Sequence, residues 1–279
     1  MIRRAWVNGA LFEQGEIAPI SVMDRGLAYG DGLFETIRIE SGHPILLPLH
    51  LARLKASARA LGITCDTVVL EDAFTDFIAQ CGDAVVKIIL TRGDSGRGYL
   101  PDSDAPSSLI FLLYPAMYWP AELAGEGVVA AVCQQSLGIS PMLAGHKHLN
   151  RLEQVLLRQE LAGFGVAHEA LVSNVDGHVV EGVFSNIFWI KHGAVCTPCL
   201  DRSGVRGVMR QFLLQEISHL GLQLCEGHYT VTDVLAADEI FFCNSLYGIW
   251  PVRQMAGVEC QPGPITRRLQ QCWSEMLGT

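Results

Sequence analysis

Amines able to form a Schiff base are scarce in this chain, which has four lysines: Lys55, Lys87, Lys147 and Lys191. Such an amine acts as nucleophile or base where its surroundings hold or strip its proton. Lys55 lies on an amphipathic helical stretch and reads as solvated. Lys191 sits beside a hairpin turn. Lys87 falls in a strand pattern with Val85 and Ile89 on its own face, and stays a candidate. Lys147 stands between Gly145 and Asn150, at the mouth of a helix, where an amine can meet a ligand. A lysine in a loop is more often a surface charge, so position alone leaves both readings open.

Other groups could serve a charged ligand. Glu181 sits in HVVEGVFSNIFWI, a strand pair almost without other charge. A buried carboxylate needs a partner, and a protonated heterocycle nitrogen would be one. A carboxylate on the open face of a strand is the equal alternative. Ser203 reads as the N-cap of a helix starting near Gly204, with Arg206 rather than a glutamate at its third position. Amides left uncovered there attract an anion. Arg53, on LHLARLK, could hold a phosphate bidentately or be solvated. Ser245 follows the strand EIFFCN and could donate a hydroxyl. Arg97, in TRGDSGRGYLPD, has a fork that matches a carboxylate, against the plain reading of a loop residue. Gly30–Gly32 forms GDG without a βαβ context, so no dinucleotide site is expected. No GxSxG elbow is present.

The elements that must position these groups follow from pattern. Asn8-Gly9 predicts a hairpin. LPLHLARLKASARALG has helical spacing and Gly62 as a stop, and EDAFTDFIAQCG predicts a second helix. Strands are expected at AVVKIILTRG, SSLIFLLYP and GVVAAVCQQ. Asn150 and Glu153 predict a capping box on the helix NRLEQVLLRQELAGFG. Two further hairpins turn at Asp176-Gly177 and His192-Gly193, and a helix is expected from about 204 to 219. The strand ADEIFFCNS and the helix TRRLQQCWSEML close the chain. Antiparallel hairpins with separate helices make this an α+β pattern. A smaller α/β domain over 1–114, a linker over 115–125 and a larger domain over 126–279 are expected.

Bulk properties narrow the class. The chain has 279 residues, 49% hydrophobic and 18% charged, with a net charge of -9. That suits a packed globular protein and argues against a nucleic-acid partner, which would need a basic face. No apolar run reaches the roughly 20 residues that span a bilayer, and the first residues lack a leader's apolar core. A cytoplasmic protein without a membrane partner is expected. The nine cysteines are odd in number and without a framework spacing, so they read as reduced core residues. Cys196 and Cys199 have CxxC spacing but no second pair, which reads as a strand end and a turn, with no metal.

Taken in order, these segments resemble the fold-type IV pyridoxal-phosphate enzymes, which include branched-chain and D-amino-acid transaminases and the aminodeoxychorismate lyases. DRGLAYGDGLFETIRI resembles the family's N-terminal signature, HLARL its phosphate-arginine helix, and HKHLNRLEQVLLRQ its Schiff-base segment. VVEGVFSNIFWI, SGVRGVMR and DEIFFCNSLYGIWPV resemble the segments holding the pyridine nitrogen and the phosphate. The resemblance implies the two-domain fold of that family and pyridoxal 5'-phosphate as cofactor. It makes Lys147 the Schiff-base lysine and Glu181 the ring-nitrogen carboxylate. Arg53, the backbone amides of Val205 and Arg206, and Ser245 become phosphate ligands.

KHLNRLEQVLLRQ, TRGDSGRGYLPD and CNSLYGIWPV are most similar to the lyase branch. That implies aminodeoxychorismate as the small-molecule substrate, contacted by Arg97, Tyr99 and Asn244. D-Amino-acid transaminases carry an Arg-x-His pair where this chain has Arg97-Gly98-Tyr99. A transaminase acting on D- or branched-chain amino acids stays the alternative on the same scaffold, and a non-catalytic protein that retains the fold is the further one. The likeness also implies a homodimer.

Overall fold

A computed structural model describes residues 2–102 and 105–278. The chain divides into two compact units, one of Met1–Met117 with His146–Asn150, the other of Tyr118–Gly145 with Arg151–Thr279.

The first unit is built on a six-stranded antiparallel sheet. Its elements are β1 (Arg4–Val7), β2 (Ala10–Glu13), α1 (Arg25–Tyr29), β3 (Gly32–Glu40), β4 (His43–Pro44), α2 (Leu47–Leu61), α3 (Thr67–Ile78), β5 (Ala84–Thr91) and β6 (Ser108–Pro115). The strand order is β2-β1-β6-β5-β3-β4. Asn8 and Gly9 both take positive φ, 48° and 97°, as a two-residue turn between β1 and β2 requires. α2 runs to Gly62, whose φ of 63° ends the helix. α3 starts at Thr67, four residues before the expected helix at Glu71, because the Asp66 side chain accepts from the amides of Val68 and Val69. Leu33, Ile37 and Ile39 of β3 pack with Leu51 and Leu54 of α2 and Phe74 of α3.

The second unit contains α4 (Ala121–Gly125), β7 (Val128–Val132), α5 (Leu152–Gly163), β8 (Glu169–Ser173), β9 (Val179–Gly182), β10 (Asn186–Lys191), β11 (Ala194–Pro198), α6 (Val208–His219), β12 (Leu224–Gly227), α7 (Val231–Leu235), β13 (Glu239–Asn244), β14 (Gly248–Met255), β15 (Val258–Glu259) and α8 (Pro264–Leu277). Its mixed sheet has the order β12-β11-β10-β13-β14-β7-β8-β9, with β15 on β14. Ile187 and Trp189 of β10 pack with Ile240 and Phe242 of β13 and Trp250 of β14. The stretch 115–125, expected as linker, carries α4. No helix among the described residues is long and apolar enough to cross a membrane.

Two expected helix starts are corrected. α5 begins at Leu152 with Arg151 at its N-cap and no side-chain cap. Asn150 instead donates from Nδ2 to the Gly30 carbonyl, and Glu153 accepts from the Gly138 amide. α6 begins at Val208 rather than near Gly204, because Gly204 has φ of 83° and Val205 bridges to Gly145. Ser203 caps nothing; its hydroxyl donates to the Gly138 carbonyl. The cysteines are free, but only Cys196 and Cys243 are buried and seven are half-buried, so most are not core residues as expected.

Candidate active site

In the first unit Lys147 is carried by an extended stretch that pairs with an open strand edge, which the sequence pattern does not reveal. β4 covers only the far end of β3, pairing at Ile39 and Glu40. The open edge near Gly32–Phe34 is taken by residues 147–149. The Phe34 amide donates to the Lys147 carbonyl and the Leu149 amide to the Gly32 carbonyl, both at 2.9 Å, and Leu33 bridges His148. In that register Lys147 lies opposite Phe34, on one face of the ribbon. Its Nζ stands 4.5 Å from the centre of the Phe34 ring. Lys87, paired with Thr36, places its own Nζ 4.9 Å from the same ring. Burial pulls the Lys87 ammonium below its ordinary pKa.

Glu35 points the other way, into the core face shared by Leu33, Ile37 and Ile39. It is fully buried and accepts from Arg53 Nε at 2.8 Å and Nη2 at 2.5 Å. His50 Nδ1 lies 2.6 Å from Glu35 Oε2. Burial would raise the Glu35 pKa, but the Arg53 guanidinium and the His50 hydrogen bond hold it at about 2. Burial lowers the His50 pKa, aided by the charges of Arg53 and Lys147 and opposed by Glu35. A neutral imidazole therefore donates from Nδ1 to the carboxylate, and the Lys147 ammonium is felt in this cluster. His146 Nδ1 lies 2.9 Å from the Ser57 hydroxyl, which ties the lysine segment to α2.

Arg97 and Tyr99 sit in an exposed loop, with Tyr99 88% exposed. The loop is pinned from below: Arg25 donates to the carbonyls of Gly98 and Tyr99 and pairs with Asp31 at 2.9 Å. Asp31 is also held by Arg92.

In the second unit, Glu181 of β9 is 6% exposed and its Oε2 accepts from the Val205 amide at 2.9 Å. The loop between β11 and α6 is fixed at every residue from Val205 to Gly207. Asn186 Nδ2 donates to the Val205 carbonyl and Asn186 Oδ1 accepts from the Gly207 amide, while the Arg206 amide donates to Gly145. The amides of Val205 and Arg206, expected as phosphate donors, thus each have a protein acceptor here. A Cβ on Gly204 would lie 2.5 Å from Val180 Cγ1 and 3.2 Å from Glu181 Oε2. Gly204→Ala combines left-handed strain with overpacking and is expected to cost about 2–5 kcal/mol. An unchanged urea midpoint would contradict it.

Ser245 lies half-buried in the turn after β13. Asn244 shapes that turn, accepting from the amides of Leu246 and Tyr247 at 3.0 Å, and donates to the Phe184 carbonyl at 3.4 Å. Beneath the 182–186 loop lies Glu169, fully buried, accepting from the Val183 amide and the Ser185 hydroxyl. Burial outweighs these bonds and pushes its carboxyl up to about 7. The native state therefore holds this proton more tightly than the unfolded chain, and stability falls as pH rises from about 4.5 towards 7. Glu169→Gln should flatten that slope between pH 5 and 8; parallel melting curves for the two proteins would show otherwise.

No local sequence signal marks Phe34, His50, Glu169 or Asn186, whereas strand alternation puts Glu35 on the core face with Leu33 and Ile37, where a carboxylate needs partners. The CxxC acquires neighbours as well. Cys199, Asp201 and His228 bring donor atoms within 4.8 Å, although the last two are exposed.

The family model for amino-transferase class IV matches residues 32–255. This chain belongs to that family. The class IV chain is 38% identical to the aminodeoxychorismate lyase of Vibrio harveyi over 95% of its own length and 97% of the relative's. It is 42% identical to the crystal structure of 4-amino-4-deoxychorismate lyase from Pseudomonas aeruginosa, with a TM-score of 0.93, covering 99% of this chain and 100% of that one. The branched-chain amino acid aminotransferase of Escherichia coli superposes with a TM-score of 0.86 at 26% identity, over 99% and 94% of the two chains.

Class IV enzymes of these kinds use pyridoxal phosphate. The donor types in this chain suit it. They include an amine anchored at a strand edge, an arginine held by a buried carboxylate, and a second buried carboxylate that accepts from a backbone amide.

Proposed function

We propose that this chain is a 4-amino-4-deoxychorismate lyase that splits its substrate into 4-aminobenzoate and pyruvate. The observation that carries the reading is the end-to-end likeness at 42% identity to a solved enzyme of that name, against 26% for the aminotransferase. The Arg97-Gly98-Tyr99 sequence, without the histidine of the D-amino-acid transaminases, supports the same choice.

In this reading Lys147 would hold the cofactor, Arg53 and Ser245 would bind its phosphate, and Glu181 would pair with its ring nitrogen. The bound cofactor supplies an electron sink for the carbon that carries the substrate nitrogen. Glu181 keeps the ring nitrogen protonated, which its buried carboxylate favours by pairing with a cation. The Lys147 amine takes the proton from that carbon. The C–O bond on the neighbouring carbon breaks, enolpyruvate leaves and the ring becomes aromatic. Lys147 then returns the proton to enolpyruvate, giving pyruvate. Nothing is added, so no amino acceptor is needed. Lys87, half-buried on the Phe34 ring, supplies a positive charge suited to a substrate carboxylate, and Arg97, Tyr99 and Asn244 are further substrate contacts. The reading also implies a homodimer, for which the exposed Tyr99 and Leu100 offer apolar contact surface, and a cytoplasmic setting.

Purified protein should convert aminodeoxychorismate to 4-aminobenzoate and pyruvate in equal amounts without any oxo acid. No product under those conditions, together with turnover of a D- or branched-chain amino acid with 2-oxoglutarate, would establish the transaminase instead.

A further inference from the structure

Glu35 and His50 are both fully buried and take no part in the proton transfers above. They lie at one end of a chain of contacts that ends on Arg53. Glu35 takes Nε and Nη2, one edge of the planar guanidinium, and His50 fixes the carboxylate from the side. His50 and Arg53 are three residues apart on α2, on neighbouring positions of one helix face. A free arginine side chain has about 2 kcal/mol of rotamer entropy to lose on meeting a ligand. Here that ordering is done by the fold, which is what raises affinity in a preorganised site.

We propose that Glu35 and His50 are positioning residues that aim the Arg53 guanidinium at the cofactor's phosphate, so that their effect is felt by phosphate-bearing ligands alone. This rests on the reading of Arg53 as a phosphate ligand. The negative charge of Glu35 weakens the net pull of Arg53 on an anion, so an arrangement kept for charge alone would omit it. In Glu35→Gln the amide would turn its NH2 towards another donor, either Arg53 or His50, and the guanidinium would lose its fixed edge.

The test uses the full chain freed of cofactor and titrated with pyridoxal phosphate and with pyridoxal, which lacks the phosphate. The dissociation constant of pyridoxal divided by that of pyridoxal phosphate measures phosphate discrimination. Glu35→Gln should lower that ratio about tenfold or more through weaker pyridoxal phosphate binding, with pyridoxal binding unchanged within about twofold. Because Glu35→Gln removes a buried charge and could prevent folding, His50→Ala serves as the second variant. It removes a neutral donor and should lower the ratio in the same sense. His50→Asn, whose amide can replace Nδ1–H, should restore it. Equal losses for both ligands would mean a structural role only and would overturn the proposal. So would tighter pyridoxal phosphate binding in Glu35→Gln. If Arg53→Met collapses the ratio while Glu35→Gln and His50→Ala leave it intact, the positioning role fails and Arg53 keeps its assignment. If Arg53→Met itself leaves the ratio intact, the assignment of Arg53 is wrong and the positioning role falls with it.

Discussion

With Lys147 replaced by alanine, formation of 4-aminobenzoate should fall by at least about 10³-fold, since in the proposed mechanism one amine serves as anchor, base and acid. Fold stability should change little. The segment is held to β3 by backbone bonds, from Phe34 N–H to the Lys147 carbonyl and from Leu149 N–H to Gly32, and alanine keeps both. Among the side-chain contacts the variant loses is that of the ammonium with the Phe34 ring, worth roughly 0.5–2 kcal/mol depending on its desolvation. The visible absorbance of the holoprotein should vanish along with turnover, and its reduction by borohydride should no longer attach pyridoxyl to the chain. Turnover within tenfold of the parent would remove Lys147 from the mechanism, whatever happened to the colour.

Glu181→Gln should be the next most damaging change, at about 10²–10³-fold in kcat, the usual cost of losing one preorganised electrostatic group. The glutamine can still accept from the Val205 amide, so the loop from Val205 to Gly207 keeps its hold. Exchanging a charged for a neutral acceptor there should cost about 1 kcal/mol of stability. Chemistry and folding therefore separate in this variant: kcat falls while KM and the melting temperature move little. A large KM increase with kcat preserved would indicate that Glu181 serves binding and not the electron sink.

Local signals were read well wherever the backbone itself imposed a residue type. Asn8-Gly9 and His192-Gly193 take the positive φ values that their turns demand, and Gly62 ends α2 as a left-handed cap. A polar side chain that answers a distant need is not legible in its local sequence. Asn150 has the chemistry of a cap, yet the Gly30 carbonyl, 120 positions away, claims its amide. Ser203 was expected to start a helix, but it faces Gly138. Both choices depend on which carbonyls the fold leaves without donors, and no local window contains that information. Lys147 and Glu181 are singled out by family likeness rather than by any local pattern. What Glu35 does is set by α2 folding over β3, which brings His50 and Arg53 to a carboxylate that the alternation alone marks only as buried.

The bridge segment that carries Lys147 has a further consequence for how the protein is made. By sequence it lies between β7 and α5, yet it belongs to the unit that otherwise ends at Met117. A ribosome finishes the first 117 residues and must still add about 30 more before the edge of β3 at Gly32–Phe34 can be closed. Until then that edge shows unpaired amides and carbonyls, the template for pairing with another chain. A fragment cut at Met117 would carry the same exposed edge for good. Synthesised alone it should aggregate, and a peptide covering residues 146–150 would be its natural protector.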